Sequence, residues 1–276
     1  MLKCILSHAL MDNIKQENIE EICFKVSKDI ILPKFQNLQD DDIKYKNGAD
    51  LVTSVDIAAE KELKKNLLKI IPSSNFIGEE EYALNDKIIN HYNEENYCWT
   101  VDPIDGTTNF VNGKDRFAIM ISLTFKERIL YSWIYKPLEN TMCYAIFNEG
   151  TFINKDRIQT SSVQSLKEAK GSISTKYWEN HEWEKLKLMK NNFAEVSSYK
   201  CIGYEYIDIA RGKRNFAILS KLSPWDHIPG ILIVRESGGD DLDFNKNQYN
   251  FTKKNKNLIV GNSKEFNLKI LNKLGV

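Results

Sequence analysis

The densest grouping of reactive side chains is Asp102-Pro103-Ile104-Asp105-Gly106-Thr107-Thr108-Asn109-Phe110, at the end of the β-prone run Trp99-Thr100-Val101. Pro103 fixes one backbone angle and cannot continue a ladder, so the chain must turn as it leaves the strand. Asp102 and Asp105 could then both project beyond the strand end. Gly106 with Thr107 and Thr108 suits a helix start, whose free N–H groups favour an anion such as phosphate. Carboxylates beside an anion repel it unless a cation lies between them. A hard divalent ion such as Mg²⁺ takes oxygen ligands and is commonly shared with a substrate phosphate.

Three further groupings place acids at the edges of elements. Glu79, Glu80 and Glu81 follow the strand-like Phe76-Ile77-Gly78; Asp226 opens a helix in Trp225-Asp226-His227-Ile228-Pro229-Gly230; Asp56 stands in a first turn after Asp50-Leu51-Val52-Thr53. Taken singly, each has a plain structural reading: an Asp-Gly turn, a solvated acidic face, two helix caps. No Gly-x-Ser-x-Gly and no His-Glu-x-x-His is present, so the usual nucleophile and zinc-protease arrangements are excluded.

Together and in this order, the groupings resemble the inositol monophosphatase family, within the wider lithium-sensitive, Mg²⁺-dependent phosphatases that include fructose bisphosphatases. The resemblance is carried by Gly78-Glu79-Glu80, by Asp102 to Phe110, and by Trp225-Asp226 with Gly230. Asp50-Leu51-Val52-Thr53 and Asp56 add an amino-terminal signature, and the match runs from about residue 14 to near the end. It implies an α+β / α/β chain folded as a layered αβαβα sandwich of the inositol monophosphatase / fructose bisphosphatase type.

It also implies two to three Mg²⁺ ions. Glu79, Asp102 and the carbonyl of Ile104 would hold the first, and Asp102, Asp105 and Asp226 the second, with a weaker third near Glu79. Thr107, bonded to Asp56, would orient the attacking water and relay its proton. The amides of Gly106, Thr107 and Thr108 would cradle phosphate. Two ions can stabilise both the entering and the leaving oxygen of an in-line displacement. Glu80 and Glu81 are expected behind the ligands or facing solvent, and His227 in helix packing or at the surface.

The match thins at the substrate. Many members carry an acid about seven positions before the Trp-Asp aspartate, whereas this chain has Leu219-Ser220-Lys221-Leu222-Ser223 there. The family's Gly-Ser-Ala-Ala stretch is replaced by Gly203-Tyr204-Glu205-Tyr206. Tyr204, Glu205 and Lys221 are therefore expected to reshape the hydroxyl-binding pocket, and Lys221 with Arg214 to attract a more anionic ester. Against that, Thr107-Thr108-Asn109-Phe110 looks like the inositol monophosphatase version. The leading expectation is a phosphomonoesterase acting on a small polyol or sugar phosphate. Histidinol phosphate, fructose 1,6-bisphosphate and adenosine 3′,5′-bisphosphate are the alternatives. A non-catalytic metal- and phosphate-binding sensor is a different class, disfavoured because Glu79, Asp102, Asp105, Asp226, Thr107 and Asp56 are all present.

These residues must be brought together by the rest of the chain. Its 276 residues suit one catalytic unit, with a helix-plus-antiparallel-sheet half over 1–150 and an α/β half over 151–276. Helices are expected over 14–35 (ending near Pro33), 56–71, 178–189, 204–211, 226–237 and 264–273. Strands are expected over 75–78, 97–101, 117–125, 129–135, 142–147, 172–175, 216–219 and 258–261. Turns fall at 137–140 and 148–150, and the polar run from Asp40 to Gly48 reads as a loop.

Thirty-eight basic residues balance thirty-eight acidic ones, which argues against a dedicated nucleic-acid or anionic-membrane surface. No apolar run approaches membrane-span length. The five cysteines, Cys4, Cys23, Cys98, Cys143 and Cys201, have no C-x-x-C spacing and fit small core residues in a reducing cytoplasm. The segment from Met1 to Met11 reads as the first turns of a helix, or as an upstream extension if Met11 is the start. A homodimer is implied by the resemblance alone.

Overall fold

Helix α1 (Gln16–Val26) buries Ile19, Cys23 and Val26 along one face. The computed structural model describes residues 14–46, 50–254 and 256–276, so the Met1–Met11 expectation lies outside the described residues. The helix does not run unbroken to Pro33. It widens into a π turn over Ser27–Ile31 and tightens to a 3₁₀ turn over Leu32–Lys34, because Pro33 has no N–H to continue the ladder.

The polar run after it is not a loop throughout. Strand β1 (Ile43–Lys46) pairs antiparallel with β2 (Asp50–Thr53), Ile43 opposite Thr53. Asp42 anchors the arm: it accepts the Gln39 amide at 3.0 Å, Lys34 Nζ at 2.9 Å and Ser54 Oγ at 2.6 Å. Helix α2 (Ser54–Ile70) follows, capped by Thr53 Oγ1, which accepts the amides of Val55 and Asp56. Asp56 returns the bond to the Thr53 amide at 2.8 Å, closing a capping box.

Strand β3 (Asn75–Gly78) leads into the short helix α3 (Glu79–Leu84), and β4 (Tyr97–Asp105) lies parallel to β3. The short helix α4 (Thr107–Val111) precedes β5 (Ala118–Phe125), β6 (Arg128–Lys136), β7 (Thr141–Ile146), β8 (Gly150–Ile153) and β9 (Asp156–Ile158). Strands β3 to β9 form a seven-stranded sheet in sequence order, antiparallel from β4 onward. The antiparallel run continues through Ile158, past the change of pattern near residue 150; β8 and β9 are short and polar enough to escape a periodicity reading.

The remaining elements are β10 (Lys170–Ile173), α5 (Asn180–Met189), β11 (Glu195–Val196), α6 (Ile202–Ala210), β12 (Phe216–Ser220), α7 (Pro224–Glu236), β13 (Asp240–Leu242), β14 (Asn257–Gly261) and α8 (Lys264–Leu274). Their five strands order as β11-β10-β12-β14-β13, with β10 parallel to β11 and β12 and the other pairs antiparallel.

Side-chain alternation stacks these elements as an αβαβα sandwich. On one face of the large sheet Trp99, Ile121 and Trp133 pack with Cys23, Leu63 and Leu67 of α1 and α2. On the other face Cys98, Met120 and Ile134 pack with Tyr206 and Ile207 of α6 and Ile231 and Val234 of α7. That same layer meets Ala217, Leu219, Leu258 and Val260 of the small sheet, whose alternate residues Phe216, Ile218 and Ile259 face Leu186, Met189, Phe266 and Ile270 of α5 and α8. Burying one such large apolar side chain stabilises by about 1.5–3 kcal/mol. Gly230 lets α6 and α7 cross closely, since a Cβ there would lie 2.0 Å from the Tyr206 ring. Among the described residues no helix is long and apolar enough to cross a membrane.

Candidate active site

Strand β4 does not stop at Val101. It continues through Pro103 because a bulge absorbs the proline: Asp102 opposes Met120 and Asp105 opposes Ala118, so three steps on β4 match two on β5. The bulge turns Asp102 toward the end of the sheet, where its Oδ1 accepts the Ile104 amide at 2.9 Å. Strand β3 ends beside β4, Gly78 opposite Val101, and delivers Glu79 to the same rim. Asp226 arrives from the other half of the chain, in the first turn of α7 behind Pro224.

Carboxylate oxygens of Glu79, Asp102 and Asp226 all lie within 4.8 Å of one another. Asp102 is buried and the other two are half-buried. Burial pushes the Asp102 carboxyl well above the usual range, reinforced by Glu79, Asp105 and Asp226. Asp226 is raised by burial and by Glu79 and Asp105, and drawn partly back by Lys221 and a hydrogen bond from Asp102. An all-oxygen set that repels itself fits a hard divalent cation and suits neither a soft metal nor a hydrophobic ligand.

Asp105 stands beside this cluster but is turned toward α6. Its Oδ1 accepts the Ile202 amide at 3.1 Å, and its Oδ2 accepts the Gly203 amide at 2.6 Å and Cys201 Sγ at 2.9 Å. Burial raises its carboxyl, and these three bonds work against that shift. The Ile104 carbonyl accepts Thr107 Oγ1 at 3.0 Å, while Thr107 Oγ1 lies 3.5 Å from Asp56 Oδ1. The Thr–Asp pair is thus brought together with the hydroxyl leaning toward Ile104. Gly106 takes φ +88°, and a Cβ there would sit 2.9 Å from the Arg116 carbonyl, so the turn into α4 requires glycine. Thr108 is exposed at that turn. Asn109 Nδ2 donates to the carbonyls of Arg116 at 2.7 Å and Tyr199 at 2.9 Å, tying α4 to the segment before α6.

The expected substrate residues separate. Glu205 is buried, its carboxylate accepting the Ser172 hydroxyl, Ser198 Oγ at 3.0 Å and the Tyr199 amide at 2.8 Å. Arg214 is also buried, stacked 3.7 Å from the centre of the Tyr199 ring and donating to Ser197 Oγ at 2.9 Å. Tyr204 is buried with Lys136 Nζ 5.4 Å from its ring centre. Lys221 is the exception. It holds φ +53° at the end of β12, its Nζ lies 4.8 Å from the ring centre of the 57% exposed Tyr177, and its charge reaches Asp226.

His227 packs inside, Nδ1 2.8 Å from the Tyr206 hydroxyl and Nε2 3.3 Å from the Lys221 carbonyl; burial lowers its pKa to about 4. Glu81 pairs with Lys64 at 2.6 Å, and Glu80 is buried. Glu60, on α2, gave no signal in the sequence, where an acid at that helical position reads as solvated face. It is 5% exposed and accepts the amides of Glu80 at 2.7 Å and Glu81 at 2.8 Å. Burial pushes its carboxyl up to about 7, against those two bonds.

The model of the inositol monophosphatase family matches residues 15–275. The inositol monophosphatase of Dictyostelium discoideum is 30% identical over 243 residues, covering 84% of this chain and 87% of that protein. The fructose-1,6-bisphosphatase/inositol-1-monophosphatase of Thermotoga maritima is 27% identical, over 78% of this chain and 80% of its own. Among solved structures, the Thermotoga maritima IMPase superposes with a TM-score of 0.79 at 24% identity, over 93% of this chain and 94% of that one. An IMPase/NADP phosphatase complexed with NADP and Ca²⁺ gives 0.81 at 20% identity, over 93% of each chain. Fold and site together define a metal-dependent class of phosphomonoester hydrolase. The chain belongs to the inositol monophosphatase family.

Proposed function

We propose that the protein is a Mg²⁺-dependent phosphomonoesterase acting on a small polyol or sugar phosphate. The observation that carries this reading is the approach of Glu79, Asp102 and Asp226 to within 4.8 Å of one another from separate elements. These three would hold Mg²⁺, with Asp105 and the Ile104 carbonyl reorienting to complete the set. When bound, the ions supply positive charge to the phosphate and lower the pKa of the attacking water. Thr107 orients that water and passes its proton toward Asp56. The amides at Gly106, Thr107 and Thr108 hold the phosphate oxygens, and Asp226 stays ionised as a ligand. A homodimer in a reducing compartment belongs to the same reading; Cys23, Cys98, Cys143 and Cys201 are buried as free thiols.

A second reading concerns the ester. Glu205 is bonded internally, whereas Lys221, beside the exposed Tyr177, is a cationic group whose charge reaches Asp226. A cation over an aromatic face favours a second phosphate or a nucleobase over a neutral polyol. Phosphate release from inositol, histidinol, fructose and adenosine phosphates, each with Mg²⁺, tests both. Fastest turnover of inositol monophosphate supports the first reading, and fastest turnover of a bisphosphate supports the second. Release from none of the four overturns the assignment.

A further inference from the structure

We propose that Glu60 is the positioning residue for Glu79, acting as a cap supplied by one helix to the start of another. The proposal rests on the metal-dependent reading above. The first N–H groups of any helix lack intrahelical partners, and a side chain just before the helix ordinarily accepts them. At the start of α3 that position is Gly78, which has no side chain to offer. Glu60 takes its place. Its Oε2 accepts the Glu80 amide at 2.7 Å and its Oε1 the Glu81 amide at 2.8 Å.

The space is shared so closely that a Cβ on Gly78 would lie 2.2 Å from the Glu60 Cδ. A residue larger than glycine at 78 therefore excludes the Glu60 carboxylate from this place. Helix α3 is only six residues long, too short to hold its own geometry. Its first residue, Glu79, is the one that must meet Asp102 and Asp226. Glu60 also lies one turn beyond Asp56 on α2, so a single helix face carries the partner of Thr107 and the support of Glu79. Groups that orient a ligand from behind typically change metal affinity by about 10- to 100-fold when removed.

The test is Mg²⁺ binding by calorimetry, together with the thermal midpoint in EDTA, for wild type, Glu60→Gln and Gly78→Ala. Glu60→Gln keeps the volume but turns an N–H₂ toward one of the two amides. Gly78→Ala leaves Glu60 in the chain and evicts it from its place. Both are expected to weaken Mg²⁺ binding about 10- to 100-fold. Both should also raise the Mg²⁺ concentration needed for half-maximal turnover, with turnover largely recovered at saturating Mg²⁺. Glu60→Asp should fall between wild type and Glu60→Gln. Wild-type Mg²⁺ affinity in either folded variant overturns the role of Glu60, and so does a fall in the EDTA midpoint with Mg²⁺ affinity unmoved. A wild type that takes up no Mg²⁺ overturns the underlying metal reading, and the proposal with it.

Discussion

Asp102 and Asp226 are held well above the usual carboxylate range by burial and by each other's neighbours, so in the presence of a chelator their charges work against folding. An isosteric amide at Asp226 should relieve that repulsion while removing a ligand. Asp226→Asn is expected to raise the thermal midpoint in EDTA by about 2–4 °C, the shift given by 1 kcal/mol in a large domain. It should also abolish the further rise that Mg²⁺ gives the wild type. Fluorimetric melting with and without Mg²⁺ checks both, and an unchanged Mg²⁺ response in the variant would remove Asp226 from the ligand set. Glu79, Asp102 and Asp226, which the structure brings within 4.8 Å of one another, were legible through their order along the chain and its family resemblance, since singly each read as a solvated face, a turn or a cap. For Glu205 and Arg214 the sequence did not show that both are buried among partners of their own. Whether a polar side chain is spent on its own scaffold depends on tertiary neighbours, here Ser172, Ser198 and Tyr199, that no local pattern names.

At the scale of elements, the site depends on how closely backbones approach. Gly230→Ala places a methyl group 2.0 Å from the Tyr206 ring and must spread α6 from α7. A loss of about 1–3 kcal/mol is expected, read as a lower urea midpoint, as for other overpacked cores. The large sheet sets an alkaline limit. Burial pushes Tyr131, Tyr135 and Cys143 up to about 12, so the fold favours their neutral forms. A group whose pKa is raised by folding contributes fully below its unfolded value and is lost as pH climbs through the folded one. Urea midpoints in EDTA should therefore hold up to about pH 9 and decline from there toward pH 12, and Tyr135→Phe should shallow the decline. A flat profile across that window would count against these buried groups. Amphipathic helices and the long apolar strands were legible, since burial on one face leaves a periodic trace. The paired strands β1 and β2, and β8, β9 and β13, were not, being short, polar or both. Pro103 marked a strand end in sequence terms, yet a bulge carried the strand past it.

At the scale of the molecule, the layered arrangement explains why the acids are so far apart in the chain. Glu79 and Asp102 emerge from adjacent strand ends of the large sheet, whereas Asp226 is carried by a helix packed between the two sheets. Zero net charge over the whole chain hides this concentration of acids at one rim. Bringing like charges together is costly and persists in a fold where a cation makes it useful. That claim is tested most directly by phosphate release from inositol monophosphate, measured with Mg²⁺ and with EDTA, for wild type and Asp102→Asn. The expected result is Mg²⁺-dependent release by the wild type, none in EDTA, and a fall of at least about 100-fold in the variant, as when a transition-state charge partner is removed. Release that is undiminished in EDTA, or in Asp102→Asn, would contradict it.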